Sequence, residues 1–195
     1  MANIGVRYAK WAPVDTEPAN AVPHYGDVVA LPGLRSVADT PNYNSVKQYG
    51  DDIAKNTVAG FKDVTLNCEV TEMAVATAGL LFDATLTPGA QSAPGTLAFK
   101  DDDEPPYGGF GYLRSIYTDA SGYQYIGEYY PKVKAIPQGA TYTTKGETIA
   151  FVGDTFQFTG ERCSSGLWKE VSEPFSSETD AQAWVDARVK KYVSG

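Results

Sequence analysis

The sequence predicts a mainly β fold with a minor helical part, and three observations carry that reading. Glycine and proline are frequent, 19 and 12 in 195 residues, and they recur about every ten positions, which favours many short strands over long helices. The segment Phe61–Val70 alternates strictly, with Val64, Leu66, Cys68 and Val70 on one face and Asp63, Thr65, Asn67 and Glu69 on the other. Tyrosine is abundant, 13 copies, and crowds the stretch from Tyr107 to Tyr130, where aromatic rings suit a pleated, half-wet surface.

In chain order, the first long feature is Leu34–Gly60, which has no firm periodicity. It keeps Tyr43, Val46, Tyr49 and Ile53, too much apolar surface for a solvated linker, and reads as a loop or extended hairpin that needs something to lie against. The strand Phe61–Val70 follows. In Thr71–Phe82, Thr71 serves as N-cap with Glu72 in the first turn, and Met73, Ala76, Leu80 and Leu81 form an apolar stripe at helical spacing. Residues 88–106 form a Gly/Pro/Ala-rich insertion that ends in the acidic run Asp101–Glu104.

Next come two strands, Phe110–Tyr117 and Tyr123–Val133, joined by a five-residue loop, Thr118–Gly122. The first places Phe110, Tyr112, Arg114 and Ile116 on one side, with Leu113 and Tyr117 opposite. A further strand region, Glu147–Thr159, carries Ile149 and Phe151, then Phe156 and Phe158 after a kink at Gly153-Asp154. Last is an amphipathic helix, Ser177–Val193. It opens on a Ser177/Asp180 cap, lines Ala181, Trp184, Val185, Val189 and Tyr192 on one face, and carries Arg188, Lys190 and Lys191 near its end. Its place after the sheet segments predicts that it packs back on the domain, with a partner-binding arm as the sharper alternative.

Composition removes several function classes. The net charge of −8 argues against a protein that grips nucleic acid through its phosphates, since that needs clustered Lys and Arg. No apolar run approaches the ~20 residues that span a bilayer, and the opening residues do not read as a secretory signal. Cys68 and Cys163 are too few for a disulfide framework and read as two unpaired thiols.

The search for chemistry returns no catalytic set. The lone His24, in Pro23-His24-Tyr25-Gly26, has no second histidine or cysteine cluster to make a zinc site. The run Asp101–Glu104 lacks the alternating ligands of a calcium loop and reads as a solvated acidic loop. Asp51-Asp52 fails as a glycosidase pair, because strand neighbours point to opposite faces. Gly108-Gly109-Phe110-Gly111 lacks the spacing of a phosphate cradle. The expectation is therefore no enzyme, no cofactor and no metal, but a protein that binds or assembles.

Several pieces occur together in order: Asn3-Ile4-Gly5-Val6-Arg7-Tyr8-Ala9 at the start, Tyr49-Gly50-Asp51-Asp52, the strand Val64–Val70 running straight into a helix, Pro106–Tyr112 leading to a Tyr-rich strand, and Tyr142-Thr143-Thr144-Lys145-Gly146-Glu147-Thr148-Ile149-Ala150-Phe151. In this order and spacing the chain resembles the major tail proteins of siphophages, which build the tube of long non-contractile phage tails. The resemblance covers most of the first 160 residues. It departs in Ser164–Gly195 and in the 88–106 insertion.

The resemblance implies a tail-tube-type β-sandwich or half-barrel over 1–160, with one flanking helix, a long stacking loop at 34–60 and a C-terminal extension, 161–195. It implies hexameric rings stacked into a tube that conducts DNA during ejection, located in the virion after assembly in the host cytoplasm. Further partners would be tail terminator, tape-measure and tail-tip proteins. It places the candidate ring-to-ring or subunit interface at Tyr43, Val46, Tyr49, Asp51, Asp52 and Ile53. The alternative from another class is a non-catalytic carbohydrate- or cell-surface-binding β-sandwich, with exposed Tyr and Trp stacking on sugars.

Overall fold

A computed structural model describes residues 2–50, 53–90, 93–139 and 153–193, with side chains outside 46–58. The fold is mainly β. Among the described residues, one antiparallel sheet contains β1 (Ala2–Thr16), β2 (His24–Tyr25), β3 (Val29–Leu31), β4 (Leu34–Gly50), β5 (Ile53–Val70), β8 (Tyr107–Thr118), β9 (Gly122–Pro137), β10 (Asp154–Gly160) and β11 (Glu170–Val171). Two short strands, β6 (Thr85–Thr87) and β7 (Thr96–Ala98), pair separately, so the 88–106 insertion contributes one strand of a small ribbon.

The strand order is β2-β1-β8-β9-β10-β5-β4, with β3 beside β1 and β11 beside β9. The sheet rolls on itself, bringing β1 against β4. Its inner face fills one core with Trp11, Leu31, Leu34, Val64, Leu66, Val70, Phe110, Tyr130, Val133, Phe156 and Phe158. A half-barrel is what this amounts to: strands from both ends of the sheet bury their alternate residues in the same interior. The alternation expected in β5 is observed, with Val64, Leu66, Cys68 and Val70 all buried.

The outer face is covered by α2 (Glu178–Arg188), whose Ala181 and Val185 are fully buried against Leu113. The helix therefore packs back on the domain. Its N-cap is Ser177, whose Oγ accepts from the Asp180 N–H at 3.4 Å, as the sequence predicted. The helix ends at Arg188, short of the expected Val193, so Lys190 and Lys191 lie beyond it. This cover explains why β8 lacks the expected one-sided pattern. Phe110 and Tyr112 face the core while Leu113 meets α2, and the strand is buried on both sides.

The first helix differs more. The helix α1 spans Val75–Phe82 and its N-cap is Ala74, with no side-chain cap. Thr71 does not cap it, because its hydroxyl donates to the Gly33 carbonyl at 3.0 Å and so closes the β3–β4 turn. Met73 precedes the helix and is held by Asp154, which accepts its N–H at 2.7 Å. Leu81 and Phe82 are buried, whereas Ala76 and Leu80, expected in the apolar stripe, are exposed. The expected five-residue loop at Thr118–Gly122 is tighter. Thr118 pairs with Gly122, leaving three residues between, and Gly122 takes a left-handed φ of 68° that glycine adopts without strain.

Candidate functional site

The stretch 34–60, read as a loop or extended hairpin, is a hairpin and continues into β5. Register runs without a break in pairing from Leu34↔Val70 to Gly50↔Ile53, with bulges at Leu34/Ser36, Asn42/Tyr43 and Gln48/Tyr49. β10 supports β5 only between Val64 and Val70. From Asn42↔Asp63 outward, the hairpin has no third strand among the described residues and forms a two-stranded arm about 30 Å long at ~3.3 Å per residue. The outer edge of β4 is likewise unpaired among them. Isolated two-stranded ribbons are marginal in water, and open edges invite pairing.

The predicted interface residues fall along this arm. Tyr43 sits at its base, 55% exposed, and meets Phe61 edge-on at 6.0 Å. Val46 occupies the row opposite Val58, while Tyr49 pairs with Ala54 and Ile53 with Gly50 near the tip. Asp51 and Asp52, at the turn, lie outside the described residues, as does the Tyr142–Phe151 element. The backbone thus brings Tyr43, Val46, Tyr49 and Ile53 onto one projecting element.

What the sequence missed is the anchor beneath the arm. The segment after Cys163 returns across the sheet, adds β11 to the edge of β9 through Glu170↔Tyr129, and lays Trp168 flat on Phe61 at 4.5 Å. The next residue, Lys169, places its Nζ 2.7 Å from Asp39 Oδ2 on β4 and 3.1 Å from Glu128 Oε2 on β9. Glu128 is 5% exposed. It also accepts from the Tyr112 hydroxyl at 2.8 Å and from Arg114 Nε at 3.0 Å. The Tyr130 hydroxyl donates to Asp39 Oδ2 at 3.1 Å, and the Lys169 ammonium lies over the Tyr130 ring, 5.2 Å from its centroid.

Burial alone would raise the Asp39 carboxyl. The hydrogen bond and charge of Lys169, with the Tyr130 hydroxyl, outweigh it and hold Asp39 below the usual carboxylate value. Burial pushes the Tyr112 and Tyr130 hydroxyls well up, so both stay protonated donors. One signal could have found this cluster: Glu128 is an acid set among Tyr125, Ile126, Tyr129 and Tyr130, where an isolated charge is costly.

A second tie holds the same returning segment. Glu17 pairs with Lys132 at 2.8 Å and accepts the Ser164 N–H at 2.8 Å. The Lys132 hydrogen bond is the main cause that keeps the Glu17 carboxyl below its ordinary 4.5, with Ser164 assisting against desolvation. A depressed carboxyl contributes stability above its unfolded pKa, and that contribution is lost as pH falls through the folded value. Glu17→Gln is expected to cost up to about 1 kcal/mol at neutral pH and nothing near pH ~3, so urea midpoints of the two proteins should converge on acidification.

The other singled-out residues have structural places. His24 stacks on Tyr192 at 3.6 Å, and the neighbouring Lys191 pairs with Asp27 at 2.7 Å, pinning the chain end to β2. In the acidic run, Asp103 accepts the Lys100 N–H and Glu104 pairs with Lys134 at 3.2 Å. Among the described residues no cluster of three His, Cys, Asp or Glu could hold a metal, and no helix is long and apolar enough to cross a membrane. Cys68 and Cys163 are both buried and unpaired, and burial pushes the Cys68 thiol up to about 12.

Around α1, Val75 and Phe99 line one shallow pocket and Leu80 and Leu86 another, and all four side chains are exposed. Monomeric soluble proteins rarely leave such side chains clustered without a partner.

Compared with protein-family models and with curated protein sequences, the chain matches none.

Proposed function

We propose that this chain is a structural subunit of a phage tail tube, assembling as stacked hexameric rings that form the wall of a long non-contractile tail and conduct DNA during ejection. The observation that carries the reading is the arm: among the described residues it is a ribbon with no third strand beside an unpaired β4 edge, a shape that a neighbour would complete. The exposed apolar side chains around α1 support the same conclusion, as does the resemblance of the ordered segments to siphophage major tail proteins.

The acidic composition suits a conduit. Six copies would carry a charge of about −48, and any share of it on the lumen wall repels DNA phosphates within a Debye length of ~8–10 Å. Terminator, tape-measure and tip proteins would bind the ends and interior of the tube, and the virion is where the assembly would reside. Negative-stain microscopy of the purified full chain tests the reading directly, with rings or tubes as the expected image. A second reading has its own observation, since Tyr117 and Tyr123 are exposed and pack edge-to-face at 5.3 Å at one hairpin end, a surface on which sugars stack. A monomer at all concentrations that binds glycans through this pair would replace the tube proposal.

A further inference from the structure

We propose that Lys169 and Asp39 become joined by an amide bond, with Glu128 carrying the proton, so that the returning C-terminal segment is covalently fastened to the base of the arm. Three features of the site argue for it. The amine nitrogen touches the Asp39 carboxyl at 2.7 Å and the Glu128 carboxyl at 3.1 Å at once, so nucleophile, electrophile and proton acceptor are already assembled. The proton acceptor and the amine are shielded, since Glu128 is 5% exposed and the Lys169 side chain 17%. The site is also rigid, because Asp39, Glu128 and Lys169 stand on paired strands or beside one, with Tyr112, Tyr130 and Arg114 fixing the carboxyl groups.

The chemistry balances without a co-reactant. An ammonium and a carboxylate condense to one amide and one water, the lost oxygen coming from Asp39 and both protons of the water from Lys169. One proton passes directly to the Asp39 oxygen, giving an uncharged amine and acid. The nitrogen then attacks the Asp39 carboxyl carbon. The Tyr130 hydroxyl, 3.1 Å from Oδ2, steadies the oxygen charge that develops. Glu128 takes the second proton from nitrogen and returns it to the departing hydroxyl, ending as it began. The Asp39 side chain is 37% exposed, which gives the water a way out. The ion pair is the resting form and the uncharged pair a minor one, so the reaction is a slow maturation that happens once per chain. Amide formation is uphill for free reactants in water, and the fixed geometry of the pair is required to offset that cost, as well-oriented neighbours can when effective concentrations reach about 10⁵ M or more.

The consequence is mechanical. The bond would close a loop spanning 130 positions, and a link of that length confines the unfolded chain in the manner of a long-range disulfide. It would also route any pull on the arm into β9 through β11.

Intact-mass spectrometry of the full chain under denaturing conditions tests this whether or not subunits assemble. The expected mass is below the sequence mass by one water, with a branched peptide joining the Asp39 segment to the Lys169 segment after digestion. Lys169→Arg is expected at its full sequence mass. A wild-type chain at full mass overturns the proposal, and so does a mass deficit that persists in Lys169→Arg. Glu128→Gln is expected at full mass in its folded fraction, and condensation there overturns the role of Glu128. Should that variant not fold, Glu128→Asp sets the carboxyl one methylene back and is expected to condense more slowly, an unchanged rate overturning the same role.

Discussion

Replacing residues 43–62 with Asn-Gly is expected to leave a folded subunit that no longer forms long tubes. Asn42 and Asp63 already face each other in register, with Asn42 Nδ2 donating to Asp63 Oδ1 at 2.6 Å, so a two-residue type I′ turn can close the shortened hairpin there. The cut leaves Asp39 and its contact with Lys169 intact. A deletion running from Asp39 to Asp52 would destroy that anchor as well, confusing loss of assembly with loss of folding. Circular dichroism should report a folded sheet reduced only by the strand residues of the arm, while on the tube proposal electron microscopy should report single rings or monomers at concentrations where the full chain gives tubes. Normal-length tubes from the shortened chain would remove the arm from the stacking contact. Phe61 goes with the arm, uncovering one face of Trp168, and about 1–2 kcal/mol of stability should go with it.

Gly108→Ala should cost about 3 kcal/mol or more, the upper end for overpacking a core. A Cβ at Gly108 would fall inside the van der Waals shell of the Trp11 indole nitrogen and come within 2.7 Å of the Ala12 carbonyl. Trp11 is 1% exposed at the centre of the half-barrel, and Ala12 is held in register with Gly109, so neither can yield cheaply. Gly109→Ala meets the same obstacle on the other face, where its Cβ would lie 2.5 Å from Tyr25 Cζ. Tyr25 is fixed because its hydroxyl bonds both the Tyr129 hydroxyl and the Pro131 carbonyl, the latter at 2.7 Å. Urea unfolding gives the measurement, and a loss below about 1 kcal/mol for either alanine variant would mean that β1 and β8 can separate without consequence.

These glycines mark one boundary of what the sequence reveals. Gly108-Gly109-Phe110-Gly111 was conspicuous as a pattern, but its reason lies in partners from distant segments. Trp11 crosses above Gly108, Tyr25 below Gly109, and Val185 and Val189 of the C-terminal region press on Gly111. The strand Phe61–Val70 was legible because its environment is simple, with core on one face and water on the other. The 34–60 hairpin is not, because three register shifts along it change the phase of its side chains. The helix α2 declares itself through its cap, whereas α1, with neither side-chain cap nor charge, ends at Phe82 as expected but is capped at Ala74, three residues after the expected Thr71. The anchor was hidden for another reason. Lys169 lies in an unpatterned loop just before the two-residue β11, and its partner Asp39 is 130 positions away.

The position of that anchor sets an order on events in the cell. During synthesis β4 and β5 emerge as a hairpin with nearest-neighbour pairing, yet β10, which supports β5, and Lys169, which secures β4, follow much later in the sequence. Until then neither the β10 pairing nor the Lys169 contact flanks the hairpin. Folding of that later segment is therefore the step that fixes the base of the β4–β5 hairpin, and a chain without it would hold the arm at no set angle.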